Sequence, residues 1–403
     1  MMRGAVIFGI TYVLVSARRL GYLPLGRPGA ALLGAVAAVA SGAVPAKEAL
    51  ASVDGATILL LFGMMGMGAF LELDGFAERL QAYVAQRVRT RRALLAVVVW
   101  GAGITSAFVT NDAVCVLGAP LVVALIRAHD LPPSPYLIAL ATASNTGSVA
   151  TVVGNPQNML CASLGDLRYR EFLVLMAPLA VVCLTLNHLA IAWLHRADLE
   201  GALVPSSTRP SIVNRRIGAT LLVITGTTLL YLGGLDLAWT AVGGFTALLV
   251  IQGRDANEVW PRIEWSVLLF FASLFIVVEA LIRSGLTQAF FAELPLQGSG
   301  GLARLSALFL FGSNVVSNVP FILVVRDQIA TLPAPKLGWE LLAMASTFAG
   351  NLTLLGSVAN VIVAERARDV GGLGFRAHLR VGLPVTLATT ALGTAWVGWM
   401  GSR

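Results

Sequence analysis

Apolar stretches long enough, or nearly so, to cross a lipid bilayer take up most of this chain. They lie near residues 4–16, 28–44, 53–72, 134–163, 171–195, 217–233, 238–251, 264–282, 338–364 and 381–400. A hydrocarbon core about 30 Å thick needs roughly 20 helical residues to cross it. Backbone polar groups cannot stay unpaired in lipid, so segments of this kind must be helices. Composition agrees: 57% of residues are hydrophobic and only 12% charged, against about 25% charged in a soluble domain. With a mean hydropathy of +0.80, the sequence predicts an all-α polytopic membrane protein whose main partner is the lipid bilayer. The first apolar run has no small-residue cleavage site behind it and reads as a retained helix, not a signal peptide.

Two more apolar stretches, 93–128 and 304–327, carry polar clusters at their middles, TSAFVTND and GSNVVSN. We read both as re-entrant hairpins, since irregular backbone at membrane depth is tolerated only inside protein or beside a wet cavity. The arginines fit that reading. If the loop 77–92, with Arg79, Arg87, Arg89, Arg91 and Arg92, is cytoplasmic, ten spans and two hairpins place both termini outside. The cytoplasmic side then collects most of the 28 basic residues, Arg18, Arg19, Arg27 and Arg209 among them. That bias follows the positive-inside rule. It makes the net charge of +7 a topology signal rather than a nucleic-acid footprint, and it points to an inner (plasma) membrane of the bacterial type.

The chain also repeats itself. At a shift of 210, Gly34 falls on Gly244, Glu48 on Glu258, Asp54 on Glu264 and Gly75 on Gly285. At 207, Asn111 falls on Asn318; at 202, Thr151 falls on Thr353, Gly154 on Gly356 and Asn158 on Asn360. The halves divide as 1–197 and 217–403, joined by a cytoplasmic linker at 198–216. Each holds five spans and one hairpin, an odd number of crossings, so the halves are expected to be inverted. Charge supports this: loop 77–92 is arginine-rich, and its counterpart 284–303 has no arginine. Inverted repeats interrupted at matching positions are the pattern of secondary transporters. An intramembrane enzyme is disfavoured, with no HExxH and no GxSG with a placed histidine. A passive channel would be marked by inability to accumulate solute.

Interior polarity sits in four windows: 105–112, 144–158, 313–320 and 346–360. Those at 144–158 and 346–360 break the spans 134–163 and 338–364. Broken helices leave free N–H and C=O groups at mid-membrane, where half-helix N-termini attract oxygen-rich solutes. Single Ser and Thr residues are ordinary helix-packing glue. The matched asparagines Asn111, Asn318, Asn158 and Asn360 are expected to bind substrate, with Thr110 and Ser317 beside them. Ser144, Asn145, Thr151, Asn155, Asn351 and Thr353 are expected as additional lining. Asp112 falls at a hairpin tip opposite Val319. An acid so deep is expensive, so it either carries a coupling proton or stays ionised beside a cation, unless it merely caps the following helix. Glu279 lies one turn from Arg283 and suggests a local ion pair; His188 reads as a core histidine. Cys115, Cys161 and Cys183 show no metal spacing, and no metal or cofactor is expected. The four windows hold no Lys or Arg, which favours a neutral hydroxylated solute over a multiply charged anion.

Over nearly its full length the chain resembles the ion transporter superfamily, which includes arsenite permeases, sodium–proton antiporters of the D type and divalent anion–sodium symporters. The symporters carry Ser-Asn-Thr at each hairpin tip; the matching positions are Thr110-Asn111-Asp112 and Ser317-Asn318-Val319. The literal Ser144-Asn145-Thr146 lies in the later broken span, where Gly154-Asn155-Pro156-Gln157-Asn158 resembles the family's glycine-rich stretch ending in Pro-Pro-Asn. The Asn-Asp at the first tip and Asn318-Val319-Pro320 at the second are more similar to arsenite permeases. The resemblance implies efflux of arsenite, and of antimonite, driven by H+ entry, a reading in which the Asp112 argued above from its depth would be the coupling group. The alternatives it leaves are a sodium- or proton-coupled symporter of a carboxylate or inorganic anion, and a sodium–proton antiporter using Na+. Arsenite is largely neutral As(OH)3 near neutral pH, in keeping with a site lacking a fixed cation. Cys115 is expected to pack rather than coordinate arsenic. The symporter relatives often dimerise, so a homodimer is admitted; whether a cytoplasmic ATPase joins the protein is left open.

Overall fold

The structure is a computed structural model that describes residues 2–16, 26–204 and 214–401. Arg18, Arg19 and Arg209, the middle of the linker 198–216 and the extreme termini lie outside the described residues. Among the described residues there are twenty α-helices and no β-strand. The first ten are α1 (Met2–Ser16), α2 (Arg27–Ala40), α3 (Ala46–Ala51), α4 (Gly55–Leu73), α5 (Phe76–Arg87), α6 (Arg91–Ser106), α7 (Asn111–His129), α8 (Pro133–Ser148), α9 (Pro156–Gly165) and α10 (Tyr169–Leu194). The second ten follow the same order: α11 (Arg215–Leu232), α12 (Leu237–Gln252), α13 (Ala256–Val259), α14 (Trp265–Arg283), α15 (Leu286–Glu293), α16 (Gly301–Val316), α17 (Asn318–Ala330), α18 (Pro335–Ala349), α19 (Val358–Arg366) and α20 (Phe375–Gly401).

Every apolar stretch is therefore a helix or a helix pair. Five helices, α4, α7, α10, α14 and α20, are long and apolar enough to cross a bilayer by length and composition. The stretch 93–128 is α6 and α7, meeting at residues 107–110; 304–327 is α16 and α17, meeting at Ser317. The broken spans part as expected, into α8 and α9 and into α18 and α19. Local sequence sets these limits. Pro133, Pro156 and Pro335 stand at helix starts, where a missing N–H costs nothing. Thr110 Oγ1 caps α7 by accepting from the Ala113 amide, and Asn155 Oδ1 caps α9 by accepting from the Asn158 amide at 2.8 Å.

Several of the matched residues have matched jobs, although Asp54 caps α4 with its side chain and Glu264 makes no such cap on α14. Gly75 and Gly285 both adopt positive φ, 70° and 79°, at the sharp turns into α5 and α15, which a side chain resists. Gly34 and Gly244 let α2 and α12 close on Thr11 of α1 and Thr227 of α11. Glu48 pairs with Arg283, and Glu258 pairs with Arg254 at 3.0 Å. Packing is reciprocal too: α4 lies on α12 and α14 on α2, while α7 lies on α19 and α17 on α9. Each hairpin thus leans on the other half's short second helix, so the two halves interlock. Two large apolar clusters fill the interior. Cys161 and Cys183 belong to one and Cys115 to the other.

Candidate substrate site

Four half-helices start at one place. The first turns of α7, α9, α17 and α19 border a cavity of about 210 Å3, closed by Tyr12 of α1 and by Phe270 and Phe271 of α14. Four helix N-termini around one cavity concentrate N–H groups and positive potential there. In the second half neither α17 nor α19 has a side-chain cap, so its N-terminal amides are the freer set.

The two hairpin-tip asparagines face this cavity in the same way. Asn111 Nδ2 donates to Asn145 Oδ1 at 2.8 Å, and Asn318 Nδ2 donates to the Gly356 carbonyl at 3.3 Å. Each amide nitrogen is occupied, while Asn111 Oδ1 and Asn318 Oδ1 are buried with no partner among the described residues. Most buried polar atoms in proteins are hydrogen-bonded, so two lone acceptors at equivalent positions, on residues that line one cavity, set this pair apart. Ser317 and Asp112 also line it. Asp112 is half-buried in the first turn of α7. Thr110 stands behind the wall as the α7 cap.

The other expected residues form the frame. Asn158 Nδ2 donates to the Ser148 and Thr151 carbonyls at 3.0 and 2.9 Å. Asn360 Nδ2 donates to the carbonyls 202 positions further on, Gly350 and Thr353, at 2.7 and 3.1 Å. Neither asparagine is exposed, and neither borders the cavity. Asn145 ties the halves together: its Nδ2 donates to Asn351 Oδ1 and Asn360 Oδ1, both at 3.0 Å. Its Oδ1 accepts from Asn111 and from Ser357 Oγ. Every hydrogen-bonding position of that amide is used. Asn155 Nδ2 donates to Ser148 Oγ and Thr347 Oγ1, and Thr151 Oγ1 donates to the Ala107 carbonyl at 2.7 Å, which pins the first hairpin tip. Ser144 Oγ contacts Cys115 Sγ at 3.1 Å. Cys115 is fully buried away from the cavity wall, and the three cysteines do not converge on it.

Sequence reasoning passed over several wall residues. Gln157, Ser313, Asn314 and Ser357 lay inside the polar windows but had no feature to single them out. Arg27 also borders the cavity; at the edge of an apolar run it had read only as a cytoplasmic-side charge. Glu279 does pair with Arg283, at 2.8 Å, and also with Arg326 of α17 at 2.9 Å. His188 is half-buried on α10 rather than in the core. The buried histidine is His378, whose Nε2 meets the Asn351 carbonyl at 3.0 Å.

Paired hairpins and broken helices enclosing one polar cavity, in a helical fold with several candidate spans, define a multi-pass secondary transporter. Residues 12–349 match the family described as citrate transporter, and the chain belongs to that family. Its relatives are transporters rather than enzymes. The chain is 30% identical to the silicon efflux transporter LSI3 of Oryza sativa subsp. japonica, over 99% of this chain and 98% of that one. It is 24% identical to the putative transporter arsB of Dictyostelium discoideum, over 98% and 92%. Among solved structures, the Alcanivorax borkumensis YdaH transporter superposes with a TM-score of 0.57 at 17% identity, covering 99% of this chain and 96% of that one. That likeness speaks to the fold.

Proposed function

We propose that the protein exports a small, uncharged, hydroxylated acid of a metalloid, arsenite first and antimonite by the same chemistry, in exchange for protons. The observation that carries this reading is the pair of buried, unpartnered acceptors, Asn111 Oδ1 and Asn318 Oδ1, carried by two residues that line one cavity. A buried acceptor calls for a donor. As(OH)3 brings hydroxyl donors to the amide oxygens and lone pairs to the N–H groups of α17 and α19. An ionised carboxylate brings acceptors only and would set them against both amide oxygens. The named relatives support a metalloid cargo, one being named for silicon efflux and another arsB. Asp112 serves as the proton carrier: it borders the same cavity, so protonation and solute binding can compete there. The arginine bias supports a plasma-membrane location with both termini outside.

A second reading has its own support. Arg27 on the wall and the family description favour a carboxylate or inorganic anion moved with Na+, since amide oxygens also ligate sodium. The deciding experiment is uptake of arsenite into inside-out vesicles holding the purified protein, with an imposed pH gradient, acid inside. Accumulation that collapses with the gradient supports proton-coupled export. Absence of accumulation, with citrate or phosphate uptake that requires sodium, supports the second reading.

A further inference from the structure

Ser313 and Ser106 occupy equivalent positions, 207 apart, one just before each hairpin tip. Both are buried, with 1% and 0% exposure. Ser106 Oγ donates to the carbonyl three residues back, Gly103, at 2.9 Å, the ordinary outlet for a serine late in a helix. The same outlet for Ser313 is the Leu310 carbonyl. That carbonyl already accepts from Asn314 Nδ2 at 3.0 Å, and the same nitrogen reaches the Ala349 carbonyl at 3.2 Å. The first half has Ala107 in place of Asn314. Ser313 Oγ is left without a partner among the described residues, and both Ser313 and Asn314 border the cavity.

We infer that Ser313 is a specificity-determining contact for the solute, with its hydroxyl kept available by Asn314. This deepens the proposed function and rests on it. Asn111 Oδ1 and Asn318 Oδ1 can only accept, whereas Ser313 Oγ can both donate and accept. It therefore completes a three-point contact for a solute whose hydroxyl groups do both. Asn314 is a positioning residue: it occupies the carbonyl that would otherwise draw the serine back onto its own helix.

The test is arsenite transport kinetics and thermal unfolding of the full-length protein, for wild type, Ser313→Ala, Asn314→Ala, the double variant and Ser106→Ala. Loss of one neutral hydrogen bond predicts a KM about three- to tenfold higher for Ser313→Ala, with kcat little changed. Its unfolding temperature should stay level or rise, because the removed hydroxyl has no partner among the described residues. Asn314→Ala should raise KM by freeing Leu310 to capture Ser313, and the double variant should match Ser313→Ala alone. Ser106→Ala should transport normally. An unchanged KM in Ser313→Ala, or a KM change accompanied by a clear drop in unfolding temperature, overturns the assignment and leaves arsenite export standing. No arsenite transport by the wild type overturns the export reading itself and this assignment with it.

Discussion

Asn158 and Asn360 hold two bends with the same set of hydrogen bonds. Each amide nitrogen grips two carbonyls of its own broken helix, Ser148 and Thr151 for one, Gly350 and Thr353 for the other. Each amide oxygen accepts from the opposite half, from Thr347 Oγ1 and Asn145 Nδ2, both at 3.0 Å. Thr347 and Asn145 are themselves 202 positions apart. A broken helix exposes carbonyls that lipid cannot satisfy, and these two side chains satisfy them.

Their removal should therefore register as instability. Asn158→Ala and Asn360→Ala each strand two buried carbonyls and one cross-half donor. Each should lose about 2–4 kcal/mol, read as a lower thermal midpoint in detergent. A midpoint within a degree of wild type for both variants would refute the bracing role.

The hairpin-tip asparagines should behave in the opposite way. Asn111→Ala and Asn318→Ala remove oxygens that have no partner among the described residues. Arsenite affinity should fall about tenfold for each, with a smaller stability loss than the bracing pair shows. Direct binding measured for both variants checks this, and normal binding by both would mean that the site lies elsewhere.

Asp112→Asn keeps the shape of the first turn of α7 and removes its ability to ionise. Proton-driven accumulation should vanish, while downhill solute exchange persists. Accumulation that still follows the pH gradient removes Asp112 from the coupling role.

Ser317 has φ 71° and ψ 150°, a region that is essentially glycine's and costs another residue roughly 1–3 kcal/mol. Ser317→Gly should stabilise the protein relative to Ser317→Ala by an amount in that range, since both lose the hydroxyl and only glycine relieves the backbone. Equal unfolding temperatures for the two variants would show that the tip is unstrained.

Much of this protein was legible in its sequence, because hydropathy is local and repetition is countable. The apolar runs became helices, the polar middles became helix ends, and several matched positions proved to share jobs. Gly75 and Gly285 turn the chain at positive φ, and Asn111 and Asn318 face one cavity. The sequence could not say which polar residue faces solute and which faces protein. Asn158 and Asn360 match as well as Asn111 and Asn318 do, yet their amide nitrogens are taken up by backbone carbonyls and their oxygens by side chains of the other half. Ser106 and Ser313 are the same residue at the same place, and only the second is left free, through the neighbouring Asn314. Arg27 reached the cavity from the start of a distant helix. Those distinctions depend on partners such as Asn145 and Asn360, which lie 215 residues apart. A hydrogen bond of that span is settled by how the halves pack, so the tertiary structure alone decided it.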